Sequence, residues 1–357
     1  MALQKKQRFI LIGGIALVIA GGVGVGAYYG RTQDSIAGAE GLKDLKSGAP
    51  AAAASGKELI TLKVDTQKNC SSTPWVVAEK KGFFAAEGLN IQYTGELTTA
   101  QKLPAILNGT NDIGTALPNA LATFVAGGAK IKAVTLKEVD PPSNVDPKFR
   151  HMRYVASSKF EGKTLKEFVE SKKGGKITVS GTAPSCNTFI LNQIFRHAGL
   201  DASQIQYVTF DTDTAAIQAV QQGNLDIAGI HPPFYKLAAD SKLALLADSN
   251  DTGLGAASGV STYYFSEKFI QENPEAVQRF VLAIEKAQEW ANANTEESVK
   301  LTAEYIGQPV NATHYFYTDA KLSTDLLQPW VDDLVAAGAL KKDQVKVADL
   351  VTTQFKH

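Results

Sequence analysis

The sequence has no excess of charge of either sign, because 36 lysines and arginines balance 36 aspartates and glutamates in 357 residues. A protein that binds nucleic acid through its phosphates needs a basic surface. No basic stripe interleaved with aromatic residues is present in this chain. The composition therefore predicts no polynucleotide partner.

Catalytic motifs are also absent. The sequence contains no Gly-x-Ser-x-Gly elbow, no His-Glu-x-x-His, no phosphate-binding Walker loop and no Cys-x-x-Cys metal pair. Cysteine itself is scarce, with only Cys70 and Cys186. These absences predict a protein that is not an enzyme and that has no catalytic residue, metal ion or cofactor.

One long hydrophobic run is present, and it begins near the N-terminus. Lys5, Lys6 and Arg8 precede an uncharged apolar stretch over residues 9–29. A helix of this length is about 30 Å long and can cross a bilayer, with its basic flank in the cytoplasm. We interpret residues 1–30 as a transmembrane anchor, with a cleaved signal peptide as the alternative. Either interpretation places the rest of the chain outside the cytoplasm.

The next segment, residues 31–57, is rich in Ala, Gly and Ser and reads as a flexible linker. Beyond it, short β-branched runs alternate with amphipathic helical stretches, which predicts an α/β fold with mainly parallel sheets covered by helices. Strands are expected at 59–64, 131–136, 177–180, 205–210 and 225–230. Long helices are expected at 274–293 and 295–306.

An internal repeat at a spacing of about 114 residues shows how these elements are organised. Residues 103–119 resemble residues 217–233, so that Gly109, Asp112 and Pro118 align with Gly223, Asp226 and Pro232. Each copy predicts a helix that ends at glycine, followed by a short buried strand and a loop that contains proline. Two copies predict two similar lobes, the first formed by residues 58–156 and 255–357 and the second by residues 157–254. Parallel sheets bind ligands beyond the carboxyl ends of their strands, so the ligand cleft should lie between the lobes.

Several segments resemble the solute-binding proteins of ABC importers for nitrate, taurine, aliphatic sulfonates and thiamine precursors. The resemblance covers residues 59–306 and is carried by Pro-Trp-Val-Val-Ala-Glu-Lys-Lys-Gly-Phe-Phe at 74–84, by Gly109–Gly114 and Gly223–Ala228, and by Asn-Pro-Glu at 273–275. It implies the periplasmic-binding-protein type II fold. It also implies delivery of a ligand to a membrane permease, but it does not fix the ligand. We expect a monomer that closes its lobes on a small anion.

The repeat places the loops that follow corresponding strands on opposite sides of the cleft. Their backbone amides and hydroxyl groups suit an anion, although the same groups also cap helices. We therefore predict ligand contacts from the side chains of these loops, which are Cys70, Ser71, Ser72, Thr73, Thr98, Thr99, Asn119, Ser185, Cys186, Asn187, Thr188, Thr212, His231 and Phe234. His231 could also bond to nearby backbone, and Phe234 could be part of the core.

The two cysteines leave several interpretations open. Cys70 and Cys186 could be small residues that line the cleft, could form a disulfide that locks it, or could bind a thiophilic metal or an organosulfur ligand. An enzyme on the same fold, with one cysteine as nucleophile beside His231, is a further alternative. The segment 137–153 is longer than the resemblance leads us to expect. We interpret it as a surface excursion, with a lip over the cleft as the alternative.

Overall fold

The computed structural model describes residues 56–182, 184–319 and 321–355, and of Cys70 it describes only the backbone. The predicted membrane segment and all of the linker but its last two residues lie outside this part of the chain. The strands are β1 (Ile60–Val64), β2 (Leu89–Tyr93), β3 (Gly114–Ala116), β4 (Ile131–Leu136), β5 (Glu138–Val139), β6 (Arg153–Ala156), β7 (Ile177–Ser180), β8 (Ile205–Val208), β9 (Ile227–Ile230), β10 (Ala244–Asp248), β11 (Thr262–Ser266) and β12 (Tyr315–Phe316).

Helices connect and cover these strands, as expected for an α/β protein. The helices are α1 (Thr73–Lys80), α2 (Phe83–Ala86), α3 (Thr99–Leu107), α4 (Pro118–Ala126), α5 (Leu165–Ser171), α6 (Cys186–His197), α7 (Asp213–Gln221), α8 (Tyr235–Asp240), α9 (Glu267–Glu272), α10 (Pro274–Ala293), α11 (Thr295–Ile306) and α12 (Gln328–Ala336). The bounds of α10 and α11 agree with the prediction. No helix in the described part of the chain is both long and apolar enough to cross a membrane.

The strands form two sets. A five-stranded sheet has the order β10-β6-β9-β7-β8, and three smaller sheets pair β1 with β2, β11 with β3 and β4, and β12 with β5. We call the three smaller sheets the first set and the five-stranded sheet the second set. Both sets contain parallel pairs and an antiparallel strand, so the sheets are mixed.

The sequence repeat is a structural repeat. In the first copy β1 pairs in parallel with β2 and Val64 bridges Ile113, and in the second β7 pairs in parallel with β8 and Val179 pairs with Ile227. The preceding helices end alike, because Gly109 and Gly223 both have φ of 76°. Glycine adopts this left-handed conformation without the steric cost of a side chain.

The repeated aspartates make equivalent hydrogen bonds. Asp112 donates its N–H to Lys63 O at 2.8 Å and accepts the Lys63 N–H on Oδ2 at 2.7 Å. Asp226 makes the same exchange with Thr178, at 3.2 Å and 2.9 Å. Each aspartate therefore extends the hydrogen bonding of the first strand of its copy beyond the sheet ladder.

One strand of each set comes from outside its copy of the repeat. β6 pairs antiparallel with β9 and β10, and β11 pairs antiparallel with β3 and β4. Because β6 belongs to the second set, the chain passes from the first set to the second between β5 and β6. It returns to the first set between β10 and β11. The full lobe boundaries stay a prediction.

The largest hydrophobic cluster joins the two sets. It contains Ala133 and Leu136 of β4 together with Ile177 and Val179 of β7. Phe189 of α6 stacks on Trp330 of α12 with ring centroids 3.7 Å apart, and Trp330 Nε1 donates to Ala257 O at 2.7 Å. Helix α12 therefore anchors the C-terminal part of the chain against the second set.

The repeated hydrogen bonds predict equal effects of two matched substitutions. Asp112→Ala and Asp226→Ala should each lower the free energy of unfolding by about 1–3 kcal/mol, because each leaves a strand N–H without its carboxylate acceptor. Urea denaturation of both variants measures this loss. Asp211→Ala, at an exposed position, is the control and should change stability by less than about 0.5 kcal/mol. A loss of stability in only one of the two variants would contradict the structural equivalence of the copies, and unchanged stability in both would contradict the stabilising role of these hydrogen bonds.

Candidate functional site

An open cavity lies at the carboxyl ends of β1 and β4, beside Val64 and Lys137. Its polar lining comes from the loop after β1, which includes Asp65, from Thr115 of β3 and from the residue that follows β4. Its apolar lining consists of aromatic rings together with Val64 and Ile113. The lining includes Ser71, Ser72, Lys137, Trp75, Tyr263 and Tyr305. The cavity therefore lies where parallel sheets ordinarily bind ligands.

Three buried side chains, Glu138, His151 and His314, meet beside this cavity, and we call them the Glu–His cluster. Each offers a ligand atom within 4.8 Å of the others. Strand pairing brings Glu138 close to His314, because Glu138 opposes Phe316 in the β5–β12 ladder and His314 comes just before β12. All three side chains are nearly inaccessible, with 2% of each residue exposed.

Backbone contacts hold His151 in the Glu–His cluster. Asp140 Oδ1 accepts the His151 N–H at 2.9 Å, and Arg150 Nη1 donates to Asp140 Oδ2 at 3.2 Å. The hydroxyl of Ser249, which follows β10, accepts the same N–H at 3.0 Å. Residues next to both sets of sheets therefore fix the position of this imidazole.

The second set contributes a line of three polar side chains. Cys186 begins α6 and places Sγ 3.5 Å from Nε2 of His231, which follows β9. His231 Nδ1 lies 2.8 Å from Asp213 Oδ2, and the same oxygen accepts the His231 backbone N–H at 2.7 Å. Asp213 thereby fixes the imidazole so that Nε2 faces the thiol.

The two groups of side chains are neighbours. The His231 ring centroid lies 5.9 Å from that of His314 and 6.3 Å from that of His151. The second set of sheets therefore faces the Glu–His cluster through His231. The site is built from residues of both sets.

Charge in the Glu–His cluster is unevenly distributed. Burial alone would raise the pKa of Glu138, but the Lys137 ammonium and the rings of His314 and His151, which carry charge only at low pH, outweigh burial and lower it to about 2. Burial lowers the pKa of His314 to about 4 and that of His151 well below its usual value of 6.5. At neutral pH the cluster therefore holds an ionised carboxylate beside two neutral imidazoles.

Four of the predicted site residues lie at this site. Ser71 and Ser72 line the cavity, and the side chain of Ser71 hydrogen-bonds Glu138. Cys186 and His231 contact each other. The side chain of Cys70 lies outside the described residues. Whether any of the four touches a ligand stays a prediction.

Four other predicted residues use their side chains within the protein. Thr73 Oγ1 lies 2.8 Å from Thr302 Oγ1 in the interior. Asn187 is 9% exposed and donates from Nδ2 to Ser180 Oγ at 3.4 Å. Ser185 and Thr188 form the reciprocal cap of α6, in which Ser185 Oγ accepts the Thr188 N–H at 3.3 Å. These hydrogen bonds are the capping and packing roles that competed with ligand contact.

The remaining predicted residues do not line the cavity. Thr98 and Thr212 are the N-cap residues of α3 and α7, 114 positions apart, and Thr99 begins α3 at an exposed position. The Asn119 side chain accepts the Ala120 N–H at 2.8 Å, and Phe234 packs against the core beside β9. For all five, ligand contact stays a prediction.

The segment 137–153 is the main correction to the sequence-based view. Its centre, residues 142–148, is largely exposed as expected, but both of its ends are buried and carry charged residues. Glu138, Asp140 and His151 come from these ends, and none of them was predicted. A charged Lys-Glu pair directly after strand β4 was the available signal, because residues in that position lie at the ligand-binding edge of a sheet.

Comparisons with known proteins agree with this geometry. A family model described as NMT1/THI5 like matches residues 69–298. A Brucella abortus protein provisionally named a binding protein is 25% identical over 232 residues, which cover 64% of this chain and 66% of that protein, just under two thirds of its length. An Escherichia coli protein provisionally named an aliphatic sulfonates-binding protein is 28% identical over 212 residues, which cover 58% of this chain and 60% of that protein.

Solved structures show the same fold. The periplasmic aliphatic sulphonate binding protein SsuA from Escherichia coli superimposes with a TM-score of 0.64 at 21% identity, over 83% of this chain and 93% of that chain. The periplasmic nitrate-binding protein NrtA from Synechocystis gives a TM-score of 0.62 at 13% identity, over 82% and 86%. The predicted periplasmic-binding-protein fold is thereby confirmed.

Cys186 is a free thiol in the structure, so we predict that it is not part of a disulfide in the purified protein. Alkylation of the denatured, non-reduced protein followed by peptide mapping should recover Cys186 in alkylated form. The same digest after reduction gives the reference yield. Recovery of a cross-linked peptide joining Cys70 and Cys186 would contradict the structure and restore the disulfide interpretation.

Proposed function

The chain belongs to the NMT1/THI5-like family, and from that premise we propose that it is the solute-binding component of an ABC importer. It captures a small organic anion outside the cytoplasm and presents it to a membrane permease. The observation that carries the proposal is the site itself, where residues from both sets of sheets meet beside an open cavity.

The cavity suits a ligand with a charged head and an apolar body. Lys137 supplies an ammonium group and Ser71 and Ser72 supply hydroxyl groups, all of which favour an anionic head. The rings of Trp75 and Tyr263 supply an apolar wall. The solved neighbours include an alkanesulfonate-binding protein from Xanthomonas axonopodis bound to MOPS, a sulfonate with an organic ring.

Hinge closure is the proposed mechanism. A ligand in the cavity contacts the first set of sheets through Lys137 and Ser71, and the second set faces the neighbouring Glu–His cluster through His231, so that closure brings the second set against the ligand. Because these contacts are complete only when the two sets are close, the ligand favours the closed state by its differential affinity. The permease then recognises that state. The protein acts as a monomer, and residues 1–30 hold it at the membrane or export it.

A cysteine-dependent enzyme is the second candidate, because Cys186, His231 and Asp213 have the hydrogen-bonding order of a nucleophile, a base and an orienting carboxylate. The two functions differ in what happens to the ligand. Mass spectrometry after prolonged incubation should recover alkanesulfonates and taurine unchanged from a binding protein. A product formed by the wild-type protein and absent with Cys186→Ser would favour the enzyme.

Lys137 provides the sharpest test of the binding proposal. Lys137→Met should weaken the affinity for the cognate sulfonate by about 10- to 100-fold, because a hydrogen bond to a charged group is worth about 1.5–3 kcal/mol. Thermal shift with nitrate, taurine, MOPS and short alkanesulfonates identifies the ligand, and calorimetry measures the loss.

Lys132→Met is the matched control, since Lys132 lies on β4 and pairs with Glu267 at 3.8 Å rather than lining the cavity. It should keep the wild-type affinity. The melting temperature of each variant without ligand shows whether it is folded. Equal affinity in Lys137→Met and wild type would show that the anion binds elsewhere, and a panel without any binder would reject a ligand of this class.

A further inference from the structure

We propose that Glu138, His151 and His314 bind a divalent transition-metal ion with the ligand preference of Zn²⁺. The three ligand atoms lie within 4.8 Å of one another. Two ligands of a tetrahedral zinc ion are about 3.3–3.5 Å apart, given bonds of about 2.0–2.2 Å. The ligand atoms would therefore have to approach one another by at most roughly 1.5 Å to complete the site.

Two buried polar atoms of the Glu–His cluster point to a ligand. Within the described part of the chain, Glu138 Oε1 and His151 Nδ1 are buried and have no hydrogen-bond partner. Leaving such atoms unpaired costs about 1–3 kcal/mol each, and more for a charged group. The Lys137 ammonium lies 3.9 Å from Glu138 Oε1, and a metal ion bound there would take over its role as the cation beside the carboxylate.

The ligand set matches the metal in chemistry. Two imidazoles and one carboxylate are ligands that zinc prefers, and three protein ligands leave a position open. The ring of His231 of the second set lies beside the two ligand imidazoles, with its centroid 6.3 Å from that of His151 and 5.9 Å from that of His314.

Surrounding residues support the ligands in place. Ser261 Oγ donates to Glu138 Oε2 at 3.0 Å, which leaves Oε1 for the metal. A Cβ on Gly259 would lie 2.7 Å from the Cβ of His151, so His151 fills space that only a glycine leaves. Such outer contacts orient metal ligands and raise their affinity.

The cavity gives the metal a way in. Ser71 and Lys137 both line the cavity, and Ser71 hydrogen-bonds Glu138. The carboxylate therefore lies next to the lining of the cavity.

The experiment uses the whole chain after its metals have been removed with a chelator. Zn²⁺ content after desalting should be about one ion per chain, and Co²⁺ should give visible absorption bands typical of nitrogen and oxygen ligands. His151→Gln and His314→Gln should each weaken Zn²⁺ binding by more than about 100-fold, since the loss of an outer contact alone costs about 10- to 100-fold. Competition with a chromogenic chelator measures these affinities.

Three further variants separate this site from its neighbours. His197→Gln removes a histidine of α6 outside the Glu–His cluster and should bind Zn²⁺ like the wild type. Cys186→Ser should also bind like the wild type, and the Co²⁺ spectrum should have no thiolate charge-transfer band. Gly259→Ala keeps all three ligands but displaces His151, and it should weaken binding by about 10-fold or more.

Thermal melting of the metal-free variants shows which of them are folded. If a histidine variant does not fold, Gly259→Ala still tests whether the Glu–His cluster binds the metal. The proposal is overturned if the wild type binds no stoichiometric metal, or if the folded variants of the cluster bind Zn²⁺ like the wild type. Loss of metal in Cys186→Ser, with a thiolate band in the wild type, would assign the metal to the cysteine instead. Anion binding by the metal-free protein is measured separately, so that the two proposals can fail independently.

Discussion

The burial of one carboxylate constrains the centre of this molecule. Glu138 is 2% exposed, and an ionised group in that position is costly unless charges and hydrogen bonds compensate it. The compensation comes from several parts of the chain. Ser71 belongs to the loop after β1, Lys137 follows β4 and Ser261 precedes β11. The carboxylate therefore ties together strands that are distant in the sequence.

The same constraint explains how a site at the edge of the first set can respond to the second. His151 is held by Asp140 and Ser249, on connections between the two sets, and it packs against His314 with ring centroids 4.5 Å apart. A change in the relation of the two sets would alter these contacts directly. Helix α12, through the stack of Trp330 on Phe189, limits that change on another side. Closure is therefore expected to be a small rearrangement around the cluster rather than a wide separation.

Local patterns in the sequence predicted the framework well. Apolar spacing and helix-ending glycines are patterns among neighbouring residues. They predicted the strands β4 and β7, the helices α10 and α11 and the repeat. The antiparallel strands β6 and β11 were not predicted as such, because their direction depends on partners more than 70 residues away. Thr98 and Thr212 show a different limit, since a hydroxyl that caps a helix has the same sequence context as one that binds an anion.

The repeat could not predict the Glu–His cluster, because the residues of this site have no equivalents in the two matched segments. Position 231 of the second copy is a histidine where the first copy has Leu117, and Glu138, His151 and His314 lie beyond the segments that were matched between the copies. Duplication of a strand and helix pattern supplies two similar edges, but a polar ligand needs different chemistry on each edge. In the first set, aromatic rings such as Trp75 and Tyr263 line the cavity. In the second set, His231 lies beside the Glu–His cluster and is oriented by the carboxylate of Asp213. The symmetric part of the chain thus accounts for the fold, and the departures from symmetry account for the site.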